Sequence, residues 1–326
     1  MISIIIPHHK ETLDVMNGCL SSLDIQAGID FEKDMEIIIV NDDKDGMITD
    51  FSKYTNIKSR IRQFFNDKAG YMGVSRQIGI DNARGEYLLF IDSDDMFTLP
   101  MLLCDLLSRT RAFPNKDVFC FKFYEESIAG DCSYRYLDHE HDFIWMFAKL
   151  YKKEFIANNN IRFHNDILWH EDTYFNQVLL ACNPDVDYVD YFAYLWHCTP
   201  ESITRKNSAE YGYSSLCMYI DAHDKLLDRI RLLVTGQQVL QKAIWLIVYI
   251  YCSLQKNTQT NFRERYRNDI ECQLAEFAKK WDKDNSAISV AMLPYIAEII
   301  QAQCNNVFLP QEGFEQFVKR IRKTGD

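Results

Sequence analysis

Three carboxylates, Asp92, Asp94 and Asp95, close the segment Tyr87-Leu-Leu-Phe-Ile-Asp-Ser-Asp-Asp95. A short apolar run bounded by Gly85 and a polar cluster has the pattern of a buried strand. Carboxylates at the C-terminal end of such a strand lie in the crevice where open α/β sheets bind ligands. Asp92 and Asp94 are two residues apart, so an extended backbone turns both to one side. There a shared divalent cation would offset their repulsion. The plainer alternative is an acidic turn capping a helix near Leu99. A second acidic pair, Glu171-Asp172, opens a stretch of helical spacing that runs to Ala181, with Asp172 suited to cap it.

The elements that must position these groups alternate. Ile2–Ile6, Glu36–Val40, Ile61–Phe65 and Tyr87–Ile91 read as strands, and Leu13–Leu23 and Tyr71–Ala83 as helices, the second stopping at Gly85 as a favoured helix-end residue. This βαβ rhythm predicts an α/β fold, a mainly parallel sheet flanked by helices on both faces. Three strands end in polar residues, which sets Pro7–Glu11, Asn41–Asp43 and Asp92–Asp95 along one edge. Past Pro100 the pattern predicts a helix over Leu102–Arg111, strands over Asp117–Phe123 and Cys132–Leu137, a helix over Tyr151–Asn158 and an extended, aromatic-rich Val186–Trp196. From about Asn207 only helical patterns remain: Tyr211–Leu233, Gln237–Leu254, Phe262–Trp281, Ile288–Gln303 and Phe314–Arg322. The expected domains are residues 1–206 and an all-helical C-terminal region, 207–326.

Composition excludes several function classes. The chain has 326 residues, room for one large domain or two ordinary ones. It is 47% apolar and 25% charged, with 12 Gly and 7 Pro, as a globular chain without a low-complexity linker would be. A net charge of −11 argues against nucleic acid as a partner. Ten scattered cysteines contain no CxxC pair, and Met1-Ile-Ser-Ile-Ile-Ile-Pro7 lacks the basic region and cleavage site of a signal peptide. Reduced thiols and a cytoplasmic location follow as expectations. The longest apolar run, Ala243 to Cys252, is far short of the roughly 18–20 residues that span a bilayer.

Five blocks, in order, resemble the family 2 glycosyltransferases of the GT-A fold over about the first 205 residues. SIIIPHHKE is similar to the family's first strand and its loop, and EIIIVNDDKDG to the strand ending in paired aspartates. GVSRQIGIDNARGEYLLFIDSDD resembles the helix–strand block that ends in the DXD metal motif. HED resembles the acidic catalytic motif, and WHCTPESITR the segment that closes over the donor. The resemblance implies an inverting enzyme of the hexosyl- or N-acetylhexosaminyl-transferase class. It would move a sugar from a nucleotide-sugar, in the first place a UDP-sugar, to a hydroxyl of a glycan or lipid-linked acceptor, in cell-surface polysaccharide biosynthesis.

Roles follow residue by residue as what the resemblance implies. Asp94 would bind Mn²⁺ or Mg²⁺, with Asp92 sharing the ion or holding ribose or donor sugar, and Ser93 beside them. His197 stands where some relatives place a third metal ligand, which would favour Mn²⁺; a lone histidine is more often not a ligand. Asp95 is either part of the site or a structural residue at a helix start. Pro7, His8, His9 and Glu11 would frame the base, Asp42 would bind uracil or ribose, and Asn66 is a further base or ribose contact. Many relatives carry an aromatic residue and Asn where His9 and Lys10 stand, and Asp in place of Asn41, which leaves thymidine and guanosine donors open. Arg76 would pair with the diphosphate, or form a salt bridge to Asp42 or Asp92 that positions the acid. Asp172 matches the family's general base, with Glu171 beside it, and Trp169 and His170 would touch donor sugar or acceptor. The alternative makes Asp172 an N-cap and Glu171 a solvated neighbour. His139 and His141 read as surface residues.

The helical tail carries no such motif. Gln237–Leu254 is apolar on almost every side and requires burial all round, in a bundle core or in a homo-oligomer contact. Lys319-Arg320-Ile-Arg322-Lys323 is a basic run, suited to a solvated helix end or to peripheral contact with an anionic membrane at its inner face. Two other classes stay open: an assembly protein with a decayed transferase domain, and a nucleotidylyltransferase. The intact Asp92, Asp94 and Asp172 speak against the first. The second is expected to carry a Gly-rich loop after the first strand, and Pro7–Glu11 has no glycine.

Overall fold

Four apolar runs pair in parallel at the start of the chain: β1 (Ile2–His8), β2 (Met35–Asn41), β3 (Ile61–Phe65) and β4 (Tyr87–Phe90), in the order β3-β2-β1-β4. The structure, a computed structural model, describes residues 1–43, 47–129, 132–198, 208–256, 260–304 and 312–324. Every residue of β1 and β2 is buried, as strands covered on both faces must be. Alternation decides which helix each side chain meets. Ile2, Ile4 and Ile6 join one cluster with Leu20 of α1 (Asn17–Asp24) and Leu103 of α4 (Leu102–Ala112), beyond the short α2 (Phe31–Asp34). Ile5 faces the other way, onto α3 (Met72–Asn82), where a side chain at Gly79 would come within 2.4 Å of Ile5 Cγ2.

The sheet continues from β4 as β8-β6-β9-β5, with β7 paired to β6. These strands are β5 (Met96–Phe97), β6 (Val118–Ile128), β7 (Tyr134–His139), β8 (Lys149–Lys152) and β9 (Val186–Trp196). β8 is antiparallel to both β4 and β6, with Leu150 opposite Leu89 and Phe119. The sequence patterns predict neither β5 nor β8, because two and four residues are too short to show a period of two. The short helix after β8 is α5 (Lys153–Asn158), so the first residues of the expected Tyr151–Asn158 helix belong to the sheet. α6 (Glu171–Ala181) then leads to β9.

Gly85 does not end α3. That helix stops at Asn82 with Ala83 in extended conformation. Gly85 instead lets the chain pass β1, since a Cβ there would lie 2.7 Å from Ser3 N and 2.8 Å from Met1 O. The small residue is needed for close backbone approach.

The chain divides into two compact units, Met1–Pro200 and Glu201–Asp326. Helices make up the described part of the second: α7 (Ser208–Ile230), α8 (Gly236–Lys256), α9 (Thr260–Trp281), α10 (Leu293–Cys304) and α11 (Phe314–Thr324), with two 3₁₀ turns before α10. α8 packs against α7, α9, α10 and α11, which buries its apolar residues on all sides: Ala243, Ile244, Ile247 and Ile250 are fully enclosed. The basic run of α11 is largely engaged within this unit. Arg320 pairs with Glu271 and Glu312, and Arg322 with Asp282. No helix among the described residues is long and apolar enough to cross a membrane.

Candidate active site

Parallel pairing brings the C-terminal ends of β1, β2 and β4 to one edge, with His8 opposite Asn41 and Ile5 opposite Phe90. Asp92–Asp95 form a turn there rather than an extended segment, with Asp95 N donating to Asp92 O at 3.1 Å. Exposure still alternates: Asp92 and Asp94 are half-buried, whereas Ser93 and Asp95 are buried. Asp95 caps no helix. Its carboxylate accepts the Tyr194 hydroxyl at 2.5 Å and the His197 N–H at 2.8 Å, bolting the end of β9 to the turn. Burial, with the charges of Asp94 and Asp92, holds its pKa well above the ordinary carboxylate value. The Tyr194 hydroxyl also accepts the Asp92 N–H at 3.3 Å.

Arg76, buried on α3, joins the two acidic motifs. Its guanidinium donates to Asp92 Oδ1 at 2.8 Å and to Glu171 Oε1 at 2.5 Å. Of the two carboxylates expected to pair with it, Asp92 is engaged, and Glu171 completes the bridge in place of Asp42. Glu171 is therefore no solvated neighbour; it is 8% exposed and ion-paired. Gly73, one turn earlier on α3, makes room for it: a Cβ there would lie 3.0 Å from Glu171 Cβ. Burial opposes the charge on Arg76, but Asp92, Glu171 and Asp172 outweigh it and raise its pKa.

Asp172 is the second residue of α6, so it is not the N-cap. His170 holds that position in a left-handed conformation, with φ of 68°, and makes no side-chain cap bond. Asp172 Oδ1 accepts the Thr173 N–H at 2.6 Å. Burial and the Glu171 charge raise its pKa from 3.8 to about 7, against the opposing pull of Arg76. A carboxylate with that proton affinity is matched to general-base work near neutrality. Trp169 and His170 are half-buried just before it.

At the ends of β1 and β2 the candidates divide into ring, acid and support. His8 is buried, with Nδ1 2.8 Å from Asn41 Oδ1 and Nε2 2.8 Å from the Glu11 carbonyl. It supports the loop after Pro7 rather than facing outward. His9 keeps 42% of its side chain exposed and places Nδ1 2.6 Å from Asp42 Oδ1. The other oxygen of Asp42 accepts the Gly70 N–H at 2.7 Å, and Glu11 accepts the His9 N–H at 2.6 Å. The Asn66 amide donates to Ser75 Oγ at 3.0 Å and to the Lys68 carbonyl at 3.0 Å, so it shapes its own turn.

The His197 imidazole sits at the end of β9, with Nδ1 2.7 Å from Glu126 Oε1. Glu126 is buried and also accepts the Cys198 N–H at 3.2 Å. Residues 199–205 of the segment expected to close over the donor lie outside the described residues. His139 and His141 are not simple surface groups. His139 stacks on Phe123 at 4.4 Å and pairs with Glu125, and His141 lies 2.9 Å from the Val189 carbonyl. Sequence reading missed Tyr194 and Glu126, which lie in strands whose composition offers no signal for them, and the space at Gly73.

The order of motifs on this edge has a counterpart in a family model, glycosyl transferase family 2, which matches residues 3–176. The chain belongs to this family. The matched stretch holds both acidic motifs, Arg76 and the β1–β2 residues, while Tyr194 and His197 fall beyond it. The uncharacterized glycosyltransferase EpsJ of Bacillus subtilis (strain 168) is 28% identical over 226 residues, 63% of each chain. The cholesterol galactosyltransferase of Borreliella burgdorferi is 38% identical over 93 residues, 28% of this chain and 25% of that protein. These matches span less than two thirds of either relative. Among solved structures, S. aureus TarS 1-349 in complex with UDP-GlcNAc aligns with a TM-score of 0.65 at 16% identity, over 99% of this chain and 90% of that one. That likeness shows that this family 2 chain has the GT-A fold followed by a helical region.

Proposed function

We propose that this family 2 glycosyltransferase moves a hexosyl or N-acetylhexosaminyl group from a UDP-sugar to a hydroxyl of a glycan or lipid-linked acceptor, with inversion. The observation that carries the reading is Asp172, with a pKa near neutrality at the start of α6, linked through its neighbour Glu171 and Arg76 to Asp92. In this reading the Asp172 carboxylate takes the proton of the acceptor hydroxyl. The acceptor oxygen attacks the anomeric carbon from the face opposite the leaving group. The bond to the diphosphate oxygen breaks, and its electron pair leaves with the nucleoside diphosphate. Arg76 acts on the acids as a positioning residue, since its guanidinium already bridges Asp92 and Glu171.

The donor set fits a hard divalent cation. Asp92 and Asp94 offer carboxylate oxygens at a half-buried turn, and among the described residues no group of three or more His, Cys, Asp or Glu is disposed to hold an ion by itself. Mg²⁺, and Mn²⁺ with similar ligands, suit a site made from one or two carboxylates plus substrate phosphates. Such an ion, when bound, offsets the charge growing on the diphosphate. A third contact from His197 would tilt the choice toward Mn²⁺.

The exposed His9 ring and the buried Asp42 behind it form the base and ribose end, with Pro7, His8, Glu11 and Asn66 as its frame. Ser93 completes the turn between the two acids. The UDP-GlcNAc bound by TarS and the name of the Borreliella relative support a hexose or N-acetylhexosamine donor. A polysaccharide of the cell surface is the product class, and the helical region serves packing, oligomerisation or the acceptor's membrane. Calorimetry with a panel of UDP-, GDP- and dTDP-sugars, with and without Mn²⁺, tests the reading. UDP-sugar binding that requires the ion and is lost in Asp94→Ala is expected; equal affinity with chelator present would overturn the metal-dependent reading.

A further inference from the structure

The main chain of Trp145, on the loop between β7 and β8, is held from three directions. Asp142 Oδ1 accepts the N–H groups of Ile144 at 2.8 Å and Trp145 at 3.2 Å. The Trp145 carbonyl accepts Lys149 Nζ at 3.0 Å and Asn176 Nδ2 at 2.8 Å. Lys149 and Asn176 are 1% and 0% exposed, and the Tyr151 hydroxyl donates to Asn176 Oδ1 at 2.9 Å, which fixes the amide's direction. Burying a lysine and an amide is costly unless both are bonded, and here they converge on one carbonyl. The loop closes through Ala148 at φ of 57°, a left-handed conformation that alanine rarely adopts.

The Trp145 ring packs against the core, parallel to Phe147 at 6.0 Å, and is half-buried, so part of it stays open to solvent. Its indole lies 4.7 Å from that of Trp196, the residue before His197. Because β8 runs antiparallel to β4, the loop arrives at the edge that carries the Asp92–Asp95 turn. Phe147 stacks at 4.4 Å on Tyr194, whose hydroxyl holds Asp95. On α6, Asn176 is four residues after Asp172, one turn along the same face and roughly 6 Å away. The tryptophan pair thus bridges the helix of the base and the end of β9. The sheet order sets β8, β6 and β9 on the side of β4 away from β1 and β2, where the nucleotide end is assigned.

We infer that Trp145, with Trp196, forms a stacking wall for a pyranose ring of the acceptor, whose C–H face lies flat on the indole while a hydroxyl reaches Asp172. The inference rests on the transferase reading above. It is tested on the full chain with UDP and Mn²⁺ present, using methyl β-D-glucopyranoside and the methyl glycoside of N-acetylglucosamine as probes. Saturation-transfer NMR should show their ring protons receiving magnetisation from the protein. Glycoside affinity should fall about three- to tenfold in Trp145→Ala and stay near normal in Trp145→Phe, with UDP affinity unchanged in both. Equal glycoside binding in Trp145→Ala, or none in the unaltered chain while UDP binds, overturns the wall alone. Failure of UDP itself to bind overturns the donor reading, and the wall with it.

Discussion

Arg76 of α3 and Glu171 of α6 meet at 2.5 Å, although 95 positions separate them in the chain. The same guanidinium holds Asp92, so one buried cation fixes both acidic motifs relative to each other. Gly73 leaves room for the contact, because a Cβ there would lie 3.0 Å from Glu171 Cβ and crowd it. Geometry between the acid of the turn after β4 and the acid that opens α6 is therefore a property of helix packing.

Removing that cation should be expensive. Arg76→Met leaves Glu171 buried without its partner, and a loss of about 3–5 kcal/mol is expected in urea unfolding. Arg76→Lys, which keeps the charge but one contact at a time, should lose less. Unchanged stability in Arg76→Met would mean that water, not Arg76, compensates Glu171.

Asp172→Asn should keep donor affinity and lose transfer by on the order of 10²–10⁴, because an amide cannot accept the acceptor's proton. His170, not Asp172, occupies the N-cap position, so no capping bond is lost. Near-normal turnover with the correct acceptor would retire Asp172 as the base and move attention to Glu171.

The pH dependence has a defined sign. Burial and the Glu171 charge raise the Asp172 pKa from 3.8 to about 7, so the folded state disfavours its ionised form. Below the unfolded value the group carries no penalty; as pH rises toward 7 the penalty grows, then levels off. Transfer should accordingly rise with pH through about 7 and then flatten on that limb. The gain in melting temperature of Asp172→Asn over the unaltered chain should be larger at pH 8 than at pH 5. A gain independent of pH would show that Asp172 keeps an ordinary carboxylate pKa.

Two glycine substitutions should act in opposite directions. Gly85→Ala drives a methyl into Ser3 N and Met1 O, backbone atoms of β1 and its start, and about 1–3 kcal/mol of destabilisation is expected. Gly212→Ala, within α7 with nothing inside 4 Å, should stabilise by about 0.5–1 kcal/mol. Thermal melting of the two variants side by side checks both signs. A neutral Gly85→Ala would show that the Ser3 strand can shift.

Local pattern by itself determined a good deal here. Short continuous apolar runs, β-branched in β1 and β2 and bounded by turn residues, read as strands covered on both faces, so β1, β2 and β4 and the shared edge of their polar ends followed from the residues. The all-round apolar stretch from Gln237 required enclosure, and α8 has it among four helices. What the tertiary structure alone decided depends on partners distant in sequence. β8 is four residues long and takes its identity from β4 and β6 on either side. Asp95 looks like any acid near a helix start until Tyr194, 99 positions on, presents its hydroxyl. Gly85 reads as a helix terminator because that is its commonest local use, yet its neighbour is Ser3, brought there by the sheet. Asn66 and His8 carry polar groups suited to a ligand, and the fold engages both in its own loops. Side-chain type and spacing report what a residue can do; burial and approach across the sheet decide which of those possibilities its surroundings permit.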